Sequence, residues 1–434
     1  MPKGANLPAI AAFNETVVLD AVRRSEDGLS RVELTSVTGL SAQTVTNVAR
    51  RLLGQGLIRE AGKRSEGSPG KPRTLLRLDP AGAYAVGVHL DPTVITCVLL
   101  DLEGDVVEHV RRPSPPDGDA NATLVVILEA IRSVLATPGV DASRVIGVGV
   151  AAPGPIDAET GVVVRPPLIP GWNDFHLRDE LTAATGLPAL VAKDVISAAV
   201  AERWHDPAGA SKDYAFIYYG TGAGIGLVLG GEVYTGSTDN AGDAGHVLVD
   251  PDGALCVCGR RGCWAESIRP QRLVIEGLRA GVLSLPDGSR LVDGGDVELD
   301  VEVVDALFTR LTEAAEAGDE RAAALIDRSI RNTAFYLTNL AALLDLDRVV
   351  FGGPSWSRIE RRYLAQLPDR LAELDTGILT HPVLVEGSAV GDDVAAVGAA
   401  CLVLNETFSP RVGRGRAIPN IYREILPLRA DSIR

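Results

Sequence analysis

The sequence predicts an α/β protein in two parts: a small helical module with a β-hairpin, then a two-lobed α/β body carrying a cysteine-rich loop. Three observations predict it. The first 80 residues contain three helical periods followed by a basic hairpin, the residues after Pro80 alternate strand and helix signals in two similar series, and three of five cysteines crowd into eight residues of the second series. A chain of 434 residues is too long for one small core, which fits two or three domains.

Composition excludes several classes. Hydrophobic residues make up 46% and charged residues 23%, ordinary values for globular protein. No apolar run reaches the roughly 18 residues of a membrane span. The opening MPKGANLPAIAAF, ended by Asn14-Glu15, is a poor secretory signal, so a cytoplasmic location is expected. The net charge of −15 argues against a chain that coats nucleic acid along its length. Yet residues 1–80 hold twelve Lys or Arg against eight Asp or Glu, a local +4 that leaves −19 for the rest. That asymmetry suggests a nucleic-acid module on an acidic body.

In the first module, Asn14 is read as the cap of a helix through Arg24, with Val18, Ala21 and Val22 at helical spacing. Ser30-Arg31-Val32-Glu33 is a capping box opening a second short helix, ended by Gly39. Ser41 caps a third, whose Val45, Val48, Ala49 and Leu52 share one face, leaving Gln43, Thr44, Asn47, Arg50 and Arg51 outward. These are residue types that hydrogen-bond base edges and phosphates. The following GLIREAGKRSEGSPGKPRTLLRL reads as two strands around a basic tip, a winged helix-turn-helix in which Lys63, Arg64, Lys71 and Arg73 follow the phosphate backbone. The bland alternative is a solvated helix face and a linker; the ordered set of elements and the local positive charge favour DNA binding.

After Pro80, strands are expected at 84–90, 94–101, 105–110, 145–150 and 189–192, with helices near 121–136 and 174–185. A second series begins with YAFIYYGTGAGIGLVLGGEVYTG at 214–236 and ends near FGG at 351–353 and VGAACLVL at 397–404. Both series open as strand, turn, strand, turn, strand. Two such lobes around a cleft are the layout of the actin-like (ribonuclease H-like) sugar-kinase architecture. The expected domains are 1–80, then 81–195 with 395–434 as the first lobe, and 196–394 as the second.

The segment AGDAGHVLVDPDGALCVCGRRGCWAES is the most specific signal. Cys256, Cys258 and Cys263 present three thiolates from a compact loop, and His246 completes a tetrahedral Cys₃His set, the pattern of a structural Zn²⁺ site. Cys97 and Cys401 stand alone in apolar runs and read as small core residues.

With these motifs in view, the chain resembles the ROK (repressor, open reading frame, kinase) family, which shares AGxxGH followed by CxCGxxGC, here AGDAGH and CVCGRRGC. The resemblance extends through GVGVAAPGPID at 147–157, Asp194, GTGAGIG at 220–226, VVFGG at 349–353 and GAACLVL. It is similar to the subgroup with an N-terminal DNA-binding domain, such as xylose and N-acetylglucosamine-type repressors. The resemblance implies a sugar in the interlobe cleft, held by an Asn-Asp pair, the Glu and His of an ExGH stretch, and a Glu after the last zinc cysteine. In this chain the Asn is Lys193, the Asp is Asp194, the Glu is Asp243 and the His is His246, while Ala265 takes the last place and Glu266 follows it. Lys193, one of only five lysines, either pairs with Asp194 and Asp243 or meets a carboxylate or phosphate on an acidic ligand.

A kinase of this kind also needs a base, for which Asp194 would serve, and two glycine turns around ATP phosphates. GTGAGIG fits the second turn. The first, roughly DxGGT in the kinases, is His89-Leu90-Asp91-Pro92-Thr93 here: it loses a flexible donor and gains a charge repelling phosphate. The sequence therefore predicts a DNA-binding regulator, a repressor without kinase activity, its partners operator DNA and a sugar or acidic sugar derivative, acting as a homodimer or dimer of dimers; the alternative is an active sugar kinase of this family with an appended DNA-binding domain. The tail from Ser409, with six arginines, is read as a solvated extension.

Overall fold

The computed structural model describes residues 7–65, 72–115, 118–166, 169, 171–172, 174–206, 211–285, 299–375, 377 and 379–410. Lys71 and the tail beyond residue 410 lie outside the described residues.

The N-terminal unit contains α1 (Leu7–Arg23), β1 (Leu29–Ser30), α2 (Arg31–Thr38), α3 (Ala42–Gln55), β2 (Ile58–Arg64) and β3 (Arg73–Leu78), with the strands in the antiparallel order β1-β3-β2. The reciprocal capping box of Ser30 and Glu33 opens α2, and Gly39 closes it in the left-handed region that glycine tolerates. Ser41 caps α3 through the Thr44 N–H. Asn14 does not start α1: the helix begins at Leu7, seven residues earlier. Alanine-rich LPAIAAF extends it, because Pro8 falls in the first turn, where its missing N–H has no intrahelical acceptor.

The first sheet is built from β4 (Tyr84–Leu90), β5 (Val94–Leu100), β6 (Val106–Pro113), β7 (Val145–Ala152) and, beyond the short pair β8 (Ile156–Asp157) and β9 (Val162–Val163), β10 (Ala189–Lys193). Its helices are α4 (Ala120–Leu135) and α5 (Leu177–Thr185), and α6 (Asp194–His205) follows directly on β10. The second sheet takes β11 (Tyr214–Tyr219), β12 (Ala223–Leu229), β13 (Glu232–Tyr234), β14 (Arg348–Gly352) and β15 (Leu384–Gly387). Its helices are α7 (Trp264–Ile268), α8 (Pro270–Arg279), α9 (Val301–Glu316), α10 (Glu320–Leu344) and α11 (Glu360–Leu374), and α12 (Val394–Phe408) ends the described chain.

The two sheets repeat one order. The first runs β6-β5-β4-β7-β10 and the second β13-β12-β11-β14-β15, each with an antiparallel meander followed by two parallel strands. The turns β4–β5 and β11–β12 are therefore equivalent positions in the two lobes. Between the sheets lie α6 and α12, so apolar that residues 397–404 show no amphipathic period: they are a buried helix. Close approach depends on missing side chains. A Cβ on Gly87 would lie 2.0 Å from Ala396 O, one on Gly149 1.8 Å from Ala399 O, and one on Gly398 1.7 Å from Ser197 O. One continuous apolar cluster joins the N-terminal unit (Val18, Leu34, Val45, Leu76) to α6 and α12 (Ala198, Trp204, Ala399, Leu404).

Candidate functional site

The β10–α6 junction places the first pair. Lys193 is the last residue of β10 and caps α6, and Asp194 opens the helix with its carboxylate accepting from the Val195 N–H at 2.7 Å. Burial pushes the Asp194 carboxyl above the usual carboxylate range, against the pull of His89, the Val195 N–H and Lys193. Lys193 is only 8% exposed, and among the described residues it has no carboxylate oxygen within 4 Å and no hydrogen-bond partner. Pairing with Asp194 or Asp243 is absent from this structure. The aliphatic stem instead lies along Gly154, where a Cβ would meet Lys193 Cε at 3.0 Å.

From the second lobe, Asp243 is exposed and His246 ends a short 3₁₀ turn. A Cβ on Gly242 would stand 3.4 Å from Val195 Cγ2, so the loop before Asp243 abuts the helix that Asp194 starts. Glu266 does not join them. It is 4% exposed and turned onto Arg272, whose Nε donates at 2.7 Å, and onto Arg269 at 2.8 Å. An open cleft of about 400 Å³ lies between the lobes, with Pro155, Ile156 and Glu159 on one wall and Ser237, Thr238 and Asn240 on the other. None of the expected ligand residues lines this cleft; Asp243 follows Asn240 of its wall by three residues, and the stem of Lys193 lies against Gly154, which precedes Pro155 of the other wall.

Two polar clasps hold the lobes together. Asn240 accepts from the Ile156 N–H at 2.8 Å and donates to the Ile156 carbonyl at 2.6 Å. Thr221 Oγ1, in the β11–β12 turn, donates to Asp91 Oδ2 at 3.0 Å. The other Asp91 oxygen accepts from the Thr93 N–H at 3.0 Å and from Thr93 Oγ1 at 2.6 Å. Asp91 is 7% exposed, so a carboxylate fills the turn. The glycines of GTGAGIG have a packing reason: a Cβ on Gly224 would meet Val195 Cγ1 at 2.6 Å and one on Gly226 would meet Val195 O at 2.4 Å.

The cysteine loop closes on itself. His246, Cys256, Cys258 and Cys263 present ligand atoms that all lie within 4.8 Å of one another, with His246 Nδ1 3.4 Å from Cys256 Sγ and Cys258 Sγ 3.5 Å from Cys263 Sγ. This donor set is able to hold a metal ion. The Arg260 N–H lowers the Cys258 thiol to about 6, while burial raises that of Cys263 to about 12. With Nδ1 facing the sulfurs, His246 keeps Nε2 for a different partner.

On α3, Gln43, Asn47 and Arg50 are exposed and linked, Asn47 Oδ1 accepting from Gln43 at 3.2 Å and from Arg50 at 3.3 Å. Thr44 shares a hydrogen bond of 2.9 Å with Ser41. Arg51 is drawn back to Glu15 at 2.8 Å and Arg64 to Glu33 at 3.1 Å; Lys63 is exposed and Arg73 half-buried.

Sequence reasoning missed the contact between the N-terminal unit and the body. Arg23, at the end of α1, donates to the Trp204 carbonyl at 3.1 Å and stacks 4.2 Å over its indole, at the end of α6. It also missed Asn240, whose only sequence signal is the polar STDN run before AGDAGH.

Residues 85–406 match the model of the ROK family. A glucokinase from Halalkalibacterium halodurans is 32% identical over 276 residues, 62% of this chain and 80% of that protein. A putative xylose repressor from Caldicellulosiruptor sp. is 24% identical over 411 residues, 93% of this chain and 98% of that protein. Among solved structures, a ROK family transcriptional regulator, homolog of the E. coli MLC protein, aligns with a TM-score of 0.72 at 23% identity, covering 91% of this chain and 96% of that one. A ROK family glucokinase from Streptomyces griseus, in complex with glucose and AMPPNP, gives 0.60 at 27% identity, over 74% and 99%. With the repeated sheets, the cysteine-histidine loop and this match over most of its length, the chain belongs to the ROK family.

Proposed function

We propose that the chain is a sugar-responsive transcriptional repressor. Its N-terminal unit serves as a winged helix-turn-helix, with Gln43, Thr44, Asn47 and Arg50 of α3 turned to base edges and phosphates, and Lys63, Lys71 and Arg73 following the backbone from the hairpin. Two copies in a homodimer, or a dimer of dimers, bind an operator in the cytoplasm. The effector is a sugar or sugar derivative that Lys193, Asp194, Asp243 and His246 would contact between the lobes. Glu266, already engaged by two arginines, shapes α7 instead of touching the ligand.

The single observation that carries this reading is α6. Its first residue is Asp194 and its penultimate residue is Trp204, which holds Arg23 of α1. Twelve residues of rigid helix, about 18 Å, connect the ligand position to the DNA-binding unit. A ligand that binds one lobe arrangement better shifts α6 and with it the spacing of paired recognition helices.

The cysteine-histidine set fits Zn²⁺: three sulfurs and one imidazole nitrogen, closed, with no position left for a substrate. When bound, the ion supplies a fixed cross-link and not a reaction. His246 is thereby oriented with Nε2 toward a ligand hydroxyl.

Kinase activity is the second reading, favoured by Asp194 as a desolvated base at a helix start and by the similarity to the glucokinases. Against it, the Asp91 carboxylate sits in the phosphate turn and is bonded to both turns. The test combines operator-fragment binding with a sugar panel: sugar-dependent release of DNA supports the repressor, whereas ATP-dependent sugar phosphorylation in a coupled assay supports the kinase.

A further inference from the structure

We propose that Lys193 forms an anion subsite, so that the effector is a hydroxylated, sugar-sized molecule bearing a carboxylate or a phosphate. This rests on the reading of the cleft as an effector site. An ammonium withdrawn from water is normally compensated by a carboxylate. Lys193 is more than nine-tenths buried and, among the described residues, has neither an ion pair nor a hydrogen bond.

The fold holds this lysine in place. Its stem is seated in a slot that Gly154 leaves, with Cε, Cδ and Cγ at 3.0, 3.2 and 3.3 Å from where a Cβ would stand. The next residue, Pro155, is the first of the cleft wall. Lys193 also caps α6, and its own side chain satisfies none of the N–H groups there; the Val195 N–H is taken by Asp194. Of the carboxylates considered for the site, Asp91 is taken by Thr93 and Thr221 and Glu266 by Arg269 and Arg272; Asp194 accepts from the Val195 N–H and is drawn down by His89 and, without an ion-pair contact, by Lys193; Asp243 is exposed and forms no ion pair with Lys193. The remaining cation fits an anionic oxygen on the ligand, while Asp194 and His246 fit its hydroxyls.

The experiment is calorimetric titration of the full chain with three probe sets: neutral glucose and xylose, the sugar acids gluconate and glucuronate, and glucose 6-phosphate. An anionic probe should bind at least tenfold tighter than its neutral parent, and the set that does so separates a carboxylate from a phosphate ligand. In Lys193→Gln that advantage should vanish, while Lys193→Arg retains part of it, and unchanged circular dichroism and melting show that both variants fold. Neutral sugars that bind and release DNA as well as or better than the anions overturn the anion subsite and leave the repressor reading intact. An anion advantage that survives Lys193→Gln also overturns it. Binding of no probe from any set overturns both.

Discussion

Thr221 Oγ1 hydrogen-bonds Asp91 Oδ2 at 3.0 Å, tying together the two turns that occupy equivalent places in the two sheets. The carboxylate takes three hydrogen bonds within this structure, and a phosphate there would have to displace it. Asp91→Ala should leave Thr93 and Thr221 donors unsatisfied at a buried position and destabilise the protein by about 1–3 kcal/mol in urea denaturation. Neither the parent nor the variant should bind ATP with magnesium in titration calorimetry; tight binding by the parent would overturn the argument.

The contact between Arg23 and Trp204 should transmit the ligand signal. Arg23→Ala is expected to bind operator DNA and effector within a few-fold of the parent, yet effector should no longer release the DNA. An anisotropy assay with and without effector decides this. Undiminished release would place the coupling elsewhere.

The cysteine-histidine cluster should carry about one zinc per chain by elemental analysis. Chelation, or Cys263→Ser, should lower the melting temperature and weaken effector binding through His246 while changing DNA affinity less. Full stability in metal-free protein would remove the ion from the account.

Arg272 is 5% exposed and Glu266 4% exposed, so Arg272→Ala removes one of the two guanidinium partners of a buried carboxylate and leaves Arg269 as the other. The expected cost is about 1–3 kcal/mol by chemical denaturation. Arg272→Ala combined with Glu266→Gln should recover a large part of it. A single variant as stable as the parent would show that Arg269 alone satisfies Glu266.

Asp101 accepts three backbone N–H groups at 2.9–3.0 Å in the β5–β6 turn, yet burial outweighs them and pushes its carboxyl up to about 6. The unfolded value is about 3.9. Between those two values the folded chain retains a proton that the unfolded chain has released, so the contribution of Asp101 to stability is present below about pH 4 and is lost as pH rises through about 6. Asp101→Asn keeps the acceptor oxygen and lacks this titration. Melting temperatures from about pH 4 to 7 should therefore fall for the parent relative to the variant, and parallel curves would contradict the shift.

Local chemistry was readable in the residues and long-range partnership was not. The Ser30–Glu33 box, the Ser41 cap and the Asp91 turn each depend on neighbours within three residues, and the structure has them in the expected places. The strand positions were readable from the same alternation, but their order in the two sheets was not, because pairing joins strands far apart in sequence. The start of α1 was misplaced because Asn14 is a good cap residue in a stretch where alanine propagates a helix through it. Glu266 was assigned by its distance from Cys263, although Arg269 and Arg272 stand three and six residues on, close enough to claim it. The partners of Asn240 and Arg23 lie 84 and 181 residues away, beyond the reach of any periodicity.

Gly398 brings α12 against Ser197 of α6 backbone to backbone, with no side chain between them. A bearing made this way has nothing soft in it to absorb a tilt. A side chain elsewhere can be exchanged for another, as lysine stands at position 193, without disturbing the spacing of these two helices.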